Sequence, residues 1–289
     1  MGKELISGGT LTVLVLAGSY VLLFAAGLLF PLRESTRRLG PRLFTNAGMT
    51  AMTFAAGGLL VRPAALSVSD WSTGTSFGLL QWTALPAPVE LAAGFLLMDL
   101  TFYYWHRANH VVPILWRFHA AHHIDPDLDV TTGFRFHFGE VAYSTGFRVA
   151  QVAVIGVSPL LYGLYELVFQ VATLFHHANL RLPLALERVL NKVIVTPRMH
   201  GIHHSKVRRE TNSNYSTVFR WWDWLHRTLW LCVPQSKIRI GVPNYGQADN
   251  RLDRALLMPF VPQKTDWKKA ARGGGRKEEE PAQPGRLAE

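Results

Sequence analysis

Long apolar blocks constrain the fold of this chain more than any other feature. Leu11 to Phe30 is a run of twenty residues without a charge, and a helix of that length reaches about 30 Å, enough to cross the hydrocarbon core of a bilayer. Leu43 to Val61 is a second uncharged block, and Val89 to Trp105 is a third apolar block that ends in three aromatic residues. No cleavage site of a secretory signal follows the first block. These blocks predict an all-α, multi-pass membrane helical bundle.

Arginines gather beside the apolar blocks and orient them. The connection after the first block carries Arg33, Arg37, Arg38 and Arg42 against a single acid, Glu34. The net charge of +10 over 289 residues is also typical of nucleic-acid binding. Arginines next to apolar blocks, however, set membrane orientation and meet anionic lipid headgroups. We therefore expect membrane lipids and no nucleic acid as partners, with this connection in the cytoplasm.

Two shorter apolar stretches, Val141 to Val157 and Pro159 to Phe175, predict a hairpin that enters the membrane and returns. The stretch from Pro63 to about Thr83 predicts a linker along the interface, anchored by tryptophans. The resulting domain organisation has N-terminal transmembrane helices and a linker in 1–88, a catalytic domain with the hairpin in 89–262, and a tail in 263–289. The tail lacks apolar periodicity, and we expect it to be disordered.

Nearly all of the 12 histidines fall in four clusters that follow the apolar blocks. These are His106 and His110; His119, His122 and His123; His176 and His177; and His200, His203 and His204. Positions three and four apart share one face of a helix, so each cluster can direct two or three imidazoles at a common point. With the orientation set by the arginines, all four clusters end on the same side of the membrane. We therefore expect a cytoplasmic, histidine-rich cap and an active site on the cytoplasmic side.

Imidazoles buried together need a metal, because otherwise many donors and acceptors stay unsatisfied and protonation accumulates like charge. A structural zinc uses four ligands and a haem uses two axial histidines, whereas two ions with four or five imidazoles each account for the number present. The single cysteine, Cys232, forms no internal disulfide and no Cys-x2-Cys site. A membrane haem or electron-carrier protein and a metal transporter remain alternatives that also use histidine clusters.

Four spacings in the chain resemble the fatty acid hydroxylase/sterol desaturase superfamily, and in particular its bacterial members. They are His106-x3-His110, His119-x2-His122-His123, His177-x-Asn179 and His200-x2-His203-His204. The flanking residues 115–119, 131–137, 196–200 and 212–216 add to the resemblance, which covers 98–228. It implies a histidine-bound centre of two iron ions. With O2 as co-substrate, such a centre hydroxylates or desaturates a C–H bond of a fatty acyl or sterol-like lipid.

The resemblance also implies which residues are catalytic and bind the metals. They are His106, His110, His119, His122, His123, His177, His200, His203 and His204. His137 and His176 are further candidate metal ligands, while His226 is not expected to be one. An external electron donor of ferredoxin or cytochrome type, with its reductase, is expected because the chain has no Rossmann fingerprint, haem-attachment motif or cysteine cluster.

Polar residues near the clusters are candidate partners of the imidazoles. Asp99 is expected to orient an imidazole N–H, or alternatively to be an acid near the interface bonded to Arg107 or water. Asp129 is a further candidate to orient an imidazole. Asn179 and Asn214 are expected to hold a ligand or a metal-bound water. Glu166 and Gln170, four residues apart, either line a pocket or make a hydrogen bond between packed helices.

Overall fold

The chain folds as a set of helices. The structure, a computed structural model, describes residues 2–264 together with residues 267 and 287. The α-helices are α1 Gly2–Leu29, α2 Leu39–Ala56, α3 Arg62–Thr75, α4 Ala87–Val111, α5 Pro113–His123, α6 Phe138–Ile155, α7 Pro159–His177, α8 Leu184–Leu190, α9 Pro197–His203, α10 Arg208–Thr211, α11 Trp221–Leu225 and α12 Leu252–Leu257. Among the described residues the only β-type pairings are isolated bridges, so the all-α prediction is confirmed. The predicted disordered tail lies almost entirely outside the described residues.

Two helices in the described part of the chain are long and apolar enough to cross a membrane, namely Gly9–Leu29 and Leu39–Thr75. In the first of them 0% of the most apolar window is buried within the protein. So much exposed apolar surface is stable in lipid rather than in water, and the chain is a membrane protein. The third predicted block forms α4, and the predicted hairpin forms α6 and α7.

The second span differs from its prediction, because the helix does not end at Arg62-Pro63. It continues from α2 into α3 through a π-helical segment, Gly57–Val61. Pro63 cannot donate a backbone hydrogen bond, and the wider π turn directly before it lets the helix continue past this position. Residues 63–75, which belong to the stretch predicted as a linker, are therefore helical.

Helices α3, α4, α6 and α7 pack around one apolar core. Its buried members include Met98 of α4, Val152 of α6, and Leu161 and Tyr165 of α7. The turn between α6 and α7 depends on Gly156, which has a φ of 79°, a conformation that glycine adopts without steric cost. This packing brings the C-terminal ends of α4 and α7 to the same end of the molecule.

The arginines after α1 are also placed differently from expectation. Arg42 is buried and forms an ion pair with Asp125 at 3.0 Å and another with Asp129. The guanidinium of Arg33 packs directly against Gly201. The contact requires glycine, because a Cβ at position 201 would lie only 1.6 Å from Nη2 of Arg33. These two arginines thus bind protein groups rather than lipid headgroups. Arg42 is a counterion for the aspartates of the loop that follows α5, whereas Arg33 donates to the Pro197 carbonyl.

Candidate metal centre

The four histidine clusters meet at one end of the helices. His106 and His110 lie in the last turns of α4, and His119, His122 and His123 form the end of α5. His177 is the last residue of α7. His200 and His203 lie on α9, and His204 directly follows it. Each cluster therefore ends a helix, and the packing of these helices brings the imidazoles together.

The imidazoles form two groups. The first contains His106, His110, His119, His123 and His203, and the second contains His122, His177, His200 and His204. Within each group all candidate ligand nitrogens lie within 4.8 Å of one another, and every member except the half-buried His106 is buried. These are the nine histidines that the resemblance places at catalytic positions. The structure brings all of them together.

The sequence clusters are divided between the two groups. His119 and His123, four residues apart, belong to the first group, whereas His122 belongs to the second. On α9, His200 and His204 share the second group while His203 joins the first. Residues three and four apart lie on either side of a common helical direction, so one helix can serve two adjacent sites. The expectation that each cluster directs two or three imidazoles at a common point is met by three clusters, whereas in the remaining one only His177 joins a group.

Distances between the ring nitrogens match those around one cation. The Nε2 atoms of His119 and His123 are 3.2 Å apart. In the second group, Nε2 of His177 lies 3.2 Å from that of His122 and 3.1 Å from that of His200. Imidazole nitrogens bind a metal such as zinc at about 2.0–2.1 Å, which puts neighbouring ligands roughly 3 Å apart. The donor sets therefore fit one metal ion in each group.

Hydrogen bonds at Nδ1 hold several rings in position. His106 donates from Nδ1 to the Tyr215 carbonyl at 2.7 Å, and His203 donates to the Ser213 carbonyl at 2.7 Å. His177 donates in the same way to the Thr173 carbonyl at 2.8 Å. A carbonyl only accepts, so Nδ1 carries the proton and the lone pair of a neutral ring lies on Nε2. Each of these rings therefore presents the nitrogen that a metal requires.

Burial keeps these imidazoles neutral. Removal from water and the neighbouring imidazoles lower the pKa of His106 to about 3, and burial lowers the pKa of His177 to about 4. The same causes lower the pKa values of six others well below the ordinary value, namely His110, His122, His123, His200, His203 and His204. Both nitrogens of His110 and Nε2 of His203 lack a hydrogen-bond partner among the described residues. Since an unsatisfied buried nitrogen is destabilising, these atoms point to a bound cation.

Three other histidines lie outside both groups. Both nitrogens of His137 are used, because Nδ1 accepts from the Gly139 N–H at 2.9 Å and Nε2 donates to the Leu256 carbonyl at 3.0 Å. The ring of His176 lies 4.1 Å from that of His200, yet His176 belongs to neither group. His226 donates from Nδ1 to the Trp222 carbonyl at 2.7 Å.

The predicted carboxylate partners bind elsewhere. Asp99 accepts from the Phe219 N–H at 3.0 Å and from the Trp222 indole at 2.7 Å, and Asp129 pairs with Arg42. Among the described residues neither carboxylate makes a hydrogen bond to an imidazole, so the prediction that they orient an imidazole N–H is wrong. Asp99 precedes His106 by seven residues, or about 10 Å along a helix, and its side chain is too short to reach the ring.

The remaining polar candidates hold the fold together. The Asn179 amide oxygen accepts from the Arg33 N–H at 2.9 Å, and the Asn214 amide donates to the Met199 carbonyl at 2.9 Å. Glu166 of α7 forms an ion pair with Arg148 of α6 at 2.9 Å. This last contact matches the alternative of packed helices rather than that of a pocket.

Glu140 is the carboxylate partner of His119, a role that the sequence analysis did not predict. Its Oε1 lies 2.8 Å from Nδ1 of His119, and the residue is 6% exposed. A carboxylate in this position fixes the tautomer of a metal-binding histidine and makes it a stronger ligand. The sequence did offer one indication of this role, because Glu140 is an acid close to His137 at the start of an apolar stretch. The carbonyls of Ser213 and Tyr215 leave no signal of this kind, because every residue has one.

Fold and site together define a helical membrane protein with two adjacent groups of buried histidines in metal-binding geometry. Residues 91–228 match the family model for fatty acid hydroxylase. The resemblance to the fatty acid hydroxylase/sterol desaturase superfamily is therefore confirmed over these residues. No solved structure matches the chain.

Three relatives illustrate the similarity. The chain is 30% identical over 180 residues to ornithine lipid hydroxylase OlsE of Rhizobium tropici, covering 62% of this chain and 52% of the relative. It is 29% identical over 140 residues to alkylglycerol monooxygenase of Homo sapiens, covering 47% and 30%. It is 31% identical over 148 residues to a cholesterol 25-hydroxylase-like protein of Danio rerio, covering 48% and 55%. The matches thus span between about a third and just over half of these relatives.

Proposed function

We propose that this protein is an O2-dependent oxidoreductase that hydroxylates or desaturates a C–H bond of a membrane lipid at a centre of two iron ions. The observation that carries the proposal is the pair of adjacent groups of five and four imidazoles, all of them buried except the half-buried His106. The matched relatives are named as lipid hydroxylases or monooxygenases. Their names favour hydroxylation over desaturation. The names of the family model and of the cholesterol 25-hydroxylase-like relative favour a fatty acyl or sterol-like lipid as the substrate.

Each group of histidines would hold one ion. Imidazole suits iron, zinc, copper and nickel, so the donor set alone leaves several metals open. An unactivated C–H bond offers no polar handle for acid–base chemistry, and for this reason a redox metal is required. Two bound iron ions would supply the O2-dependent oxidation of such a bond. His137 and His176, which lie outside the groups, are not included in the proposed ligand set.

The surroundings of the site orient the rings and keep water away. Glu140 holds His119 from the side opposite the proposed ion. Phe136 stacks on His122 with the ring centroids 4.4 Å apart, and Trp116 lies 5.1 Å from the ring of His110. Aromatic packing on these rings limits access of water to the centre, as an oxidation in lipid requires.

The position of the arginine-rich connection suggests on which side of the membrane the proposed centre lies. The arginine-rich connection after α1 lies at the histidine end of the molecule, since Arg33 donates to the Pro197 carbonyl at 3.1 Å, directly before Arg198 and near His200. If the arginines are cytoplasmic, then the proposed centre is cytoplasmic too, in a multi-pass chain whose catalytic domain is 89–262. Electrons would come from a ferredoxin- or cytochrome-type donor with its reductase.

The alternative functions suit the site less well. A haem requires two axial histidines, one on each face, and does not use nine imidazoles in two groups. A metal transporter needs ligands distributed along its spans, whereas all nine imidazoles lie at helix ends.

Single substitutions in the two groups test the proposal. His203→Ala removes one ligand from the first group and His122→Ala removes one from the second. His226→Ala is the matched control, because this histidine lies outside both groups. Iron per chain is measured in the purified proteins, and O2-dependent lipid products are measured by comparative mass spectrometry of cells with and without each variant.

Loss of product and of bound iron is expected for His122→Ala and His203→Ala, while His226→Ala keeps both. Full product formation in both ligand variants would end the assignment of these groups as the catalytic centre. A Soret band in the purified protein would favour the haem alternative, and metal flux without O2 consumption would favour the transporter.

A further inference from the structure

Asp99 ties a surface segment to the apolar part of α4. This carboxylate is 1% exposed and lies five residues before Tyr104, or about 8 Å along the helix. It accepts from the Val218 N–H at 3.4 Å, the Phe219 N–H at 3.0 Å and the Trp222 indole at 2.7 Å. An acid in an apolar span is costly unless it is paired. Here all of its partners belong to one short stretch of chain.

The segment 218–226 therefore runs beside the last turns of the apolar block. At its far end, the hydroxyl of Tyr104 lies 2.6 Å from Nε2 of His226. Tyr104 belongs to the aromatic group that ends the third apolar block, and aromatic side chains of this kind sit at the level of the lipid headgroups. If α4 crosses the membrane as the sequence predicts, the segment lies between the hydrocarbon boundary and the headgroups, at a depth set by α4.

The outer side of this segment is apolar and continues onto α8. On α11, Trp221, Trp224 and Leu225 are 39%, 68% and 59% exposed. On and just after α8, Leu186, Val189 and Val193 are 48%, 60% and 42% exposed. The two parts are joined, since the Trp221 indole donates to the Lys192 carbonyl at 3.1 Å and the Arg220 N–H donates to the Val193 carbonyl at 3.1 Å. We call these six side chains the α8–α11 face.

Among the described residues from 181 to 227, the exposed charges are of one sign. Arg181, Arg188, Lys192 and Arg227 are exposed, whereas the acids between 181 and 227 are buried. Glu187 pairs with Arg198 at 2.8 Å, and Asp223 accepts from the Tyr215 N–H at 2.8 Å. Apolar and tryptophan side chains bordered by cations are typical of surfaces that lie in the membrane interface against anionic lipid.

We propose that the α8–α11 face is an in-plane membrane-binding surface that contacts the anionic leaflet beside α4, in addition to the spanning helices. A second copy of the chain is a poorer occupant, because pairing through this face would bring cations of the same sign together. The face is also connected to the metal centre. The chain that leads into it, at Ser213 and Tyr215, supplies the carbonyls that hold His203 and His106.

A single fluorescent label tests this placement in the full-length protein. In a Cys232→Ser background, an environment-sensitive nitrobenzoxadiazole label is attached at Val189→Cys or Leu225→Cys. Leu22→Cys is the lipid-facing control, because Leu22 on α1 is 71% exposed. Ser236→Cys is the exposed polar control. The protein is placed in nanodiscs of phosphatidylcholine alone or mixed with phosphatidylglycerol, one chain per disc. Quenching by doxyl-labelled lipid is compared with quenching by aqueous iodide.

The labels at 189 and 225 are expected to emit at shorter wavelength than the label at 236 and to be quenched severalfold more by doxyl lipid than by iodide. Adding Arg188→Glu and Lys192→Glu to the labelled Leu225→Cys protein should reduce doxyl quenching in the phosphatidylglycerol discs. Quenching at 189 and 225 equal to that at 236 would overturn the proposal. So would a blue shift without doxyl quenching, because it would indicate burial against protein instead of lipid.

Discussion

Removing the carboxylate of Glu140 tests whether His119 is held ready for a metal. The two side chains are 6% and 2% exposed and meet at 2.8 Å, so their hydrogen bond is screened little by water. Loss of such an outer partner typically lowers metal affinity ten- to a hundredfold, or about 1.4–2.7 kcal/mol. Glu140→Ala should fall in this range. Glu140→Gln should lose less, because its amide oxygen still accepts from Nδ1 but carries no charge.

The assay is competition for bound metal against a chelator of known affinity, with each protein purified in the same detergent. Glu166→Ala is the control, since it removes an ion pair with Arg148 away from the histidine groups. Its thermal stability can fall while its metal affinity stays unchanged. Metal affinity of Glu140→Ala equal to that of the parent protein would refute the reasoning about His119.

Two further predictions concern stability. Burial alone would raise the pKa of Asp125, but Arg42 and Arg135 hold it down at about 2. Asp125→Ala leaves both buried arginines without this counterion and should destabilise the fold by about 3–5 kcal/mol. The measurement is the thermal midpoint of unfolding, which should fall. An unchanged midpoint would contradict the role of these ion pairs. The folded pKa of His177, about 4, lies below the ordinary value near 6.5, so the unfolded chain binds the proton first as the pH falls. The free energy of unfolding of the metal-free protein should therefore be lower at pH 5 than at neutral pH, by on the order of 2 kcal/mol for such a histidine. A thermal midpoint at pH 5 that equals or exceeds the midpoint at neutral pH would contradict this prediction.

Apolar blocks and histidine spacing predicted much of the architecture. The third block, 89–105, lies inside α4 (Ala87–Val111), and the stretch 159–175 lies inside α7 (Pro159–His177). Both helices could be predicted because the length of an apolar block and the turn residues beside it are local properties of the sequence. The nine converging histidines were predicted through the resemblance, since spacing along single helices does not show how four helix ends meet.

Other features depend on tertiary contacts that no local pattern contains. The role of Asp99 required knowing that residues 218–222 fold back onto α4. The helix across Arg62-Pro63 required the π segment before it. Arg42 resembles a topology-setting arginine in sequence, yet its partner Asp125 lies far along the chain. For Asp99 and Arg42 a long-range partner overrode the local preference, whereas at Pro63 the π segment changed the hydrogen bonding of the helix locally.

The carbonyls that hold His203, His106 and His176 come from alternate residues, Ser213, Tyr215 and Thr217. Because the acceptors belong to the peptide backbone, a change of side chain at any of these positions leaves the acceptor in place. A deletion or insertion within the stretch would instead offset the three acceptors from their rings together. Evolution could therefore vary the composition of this short stretch more freely than its length.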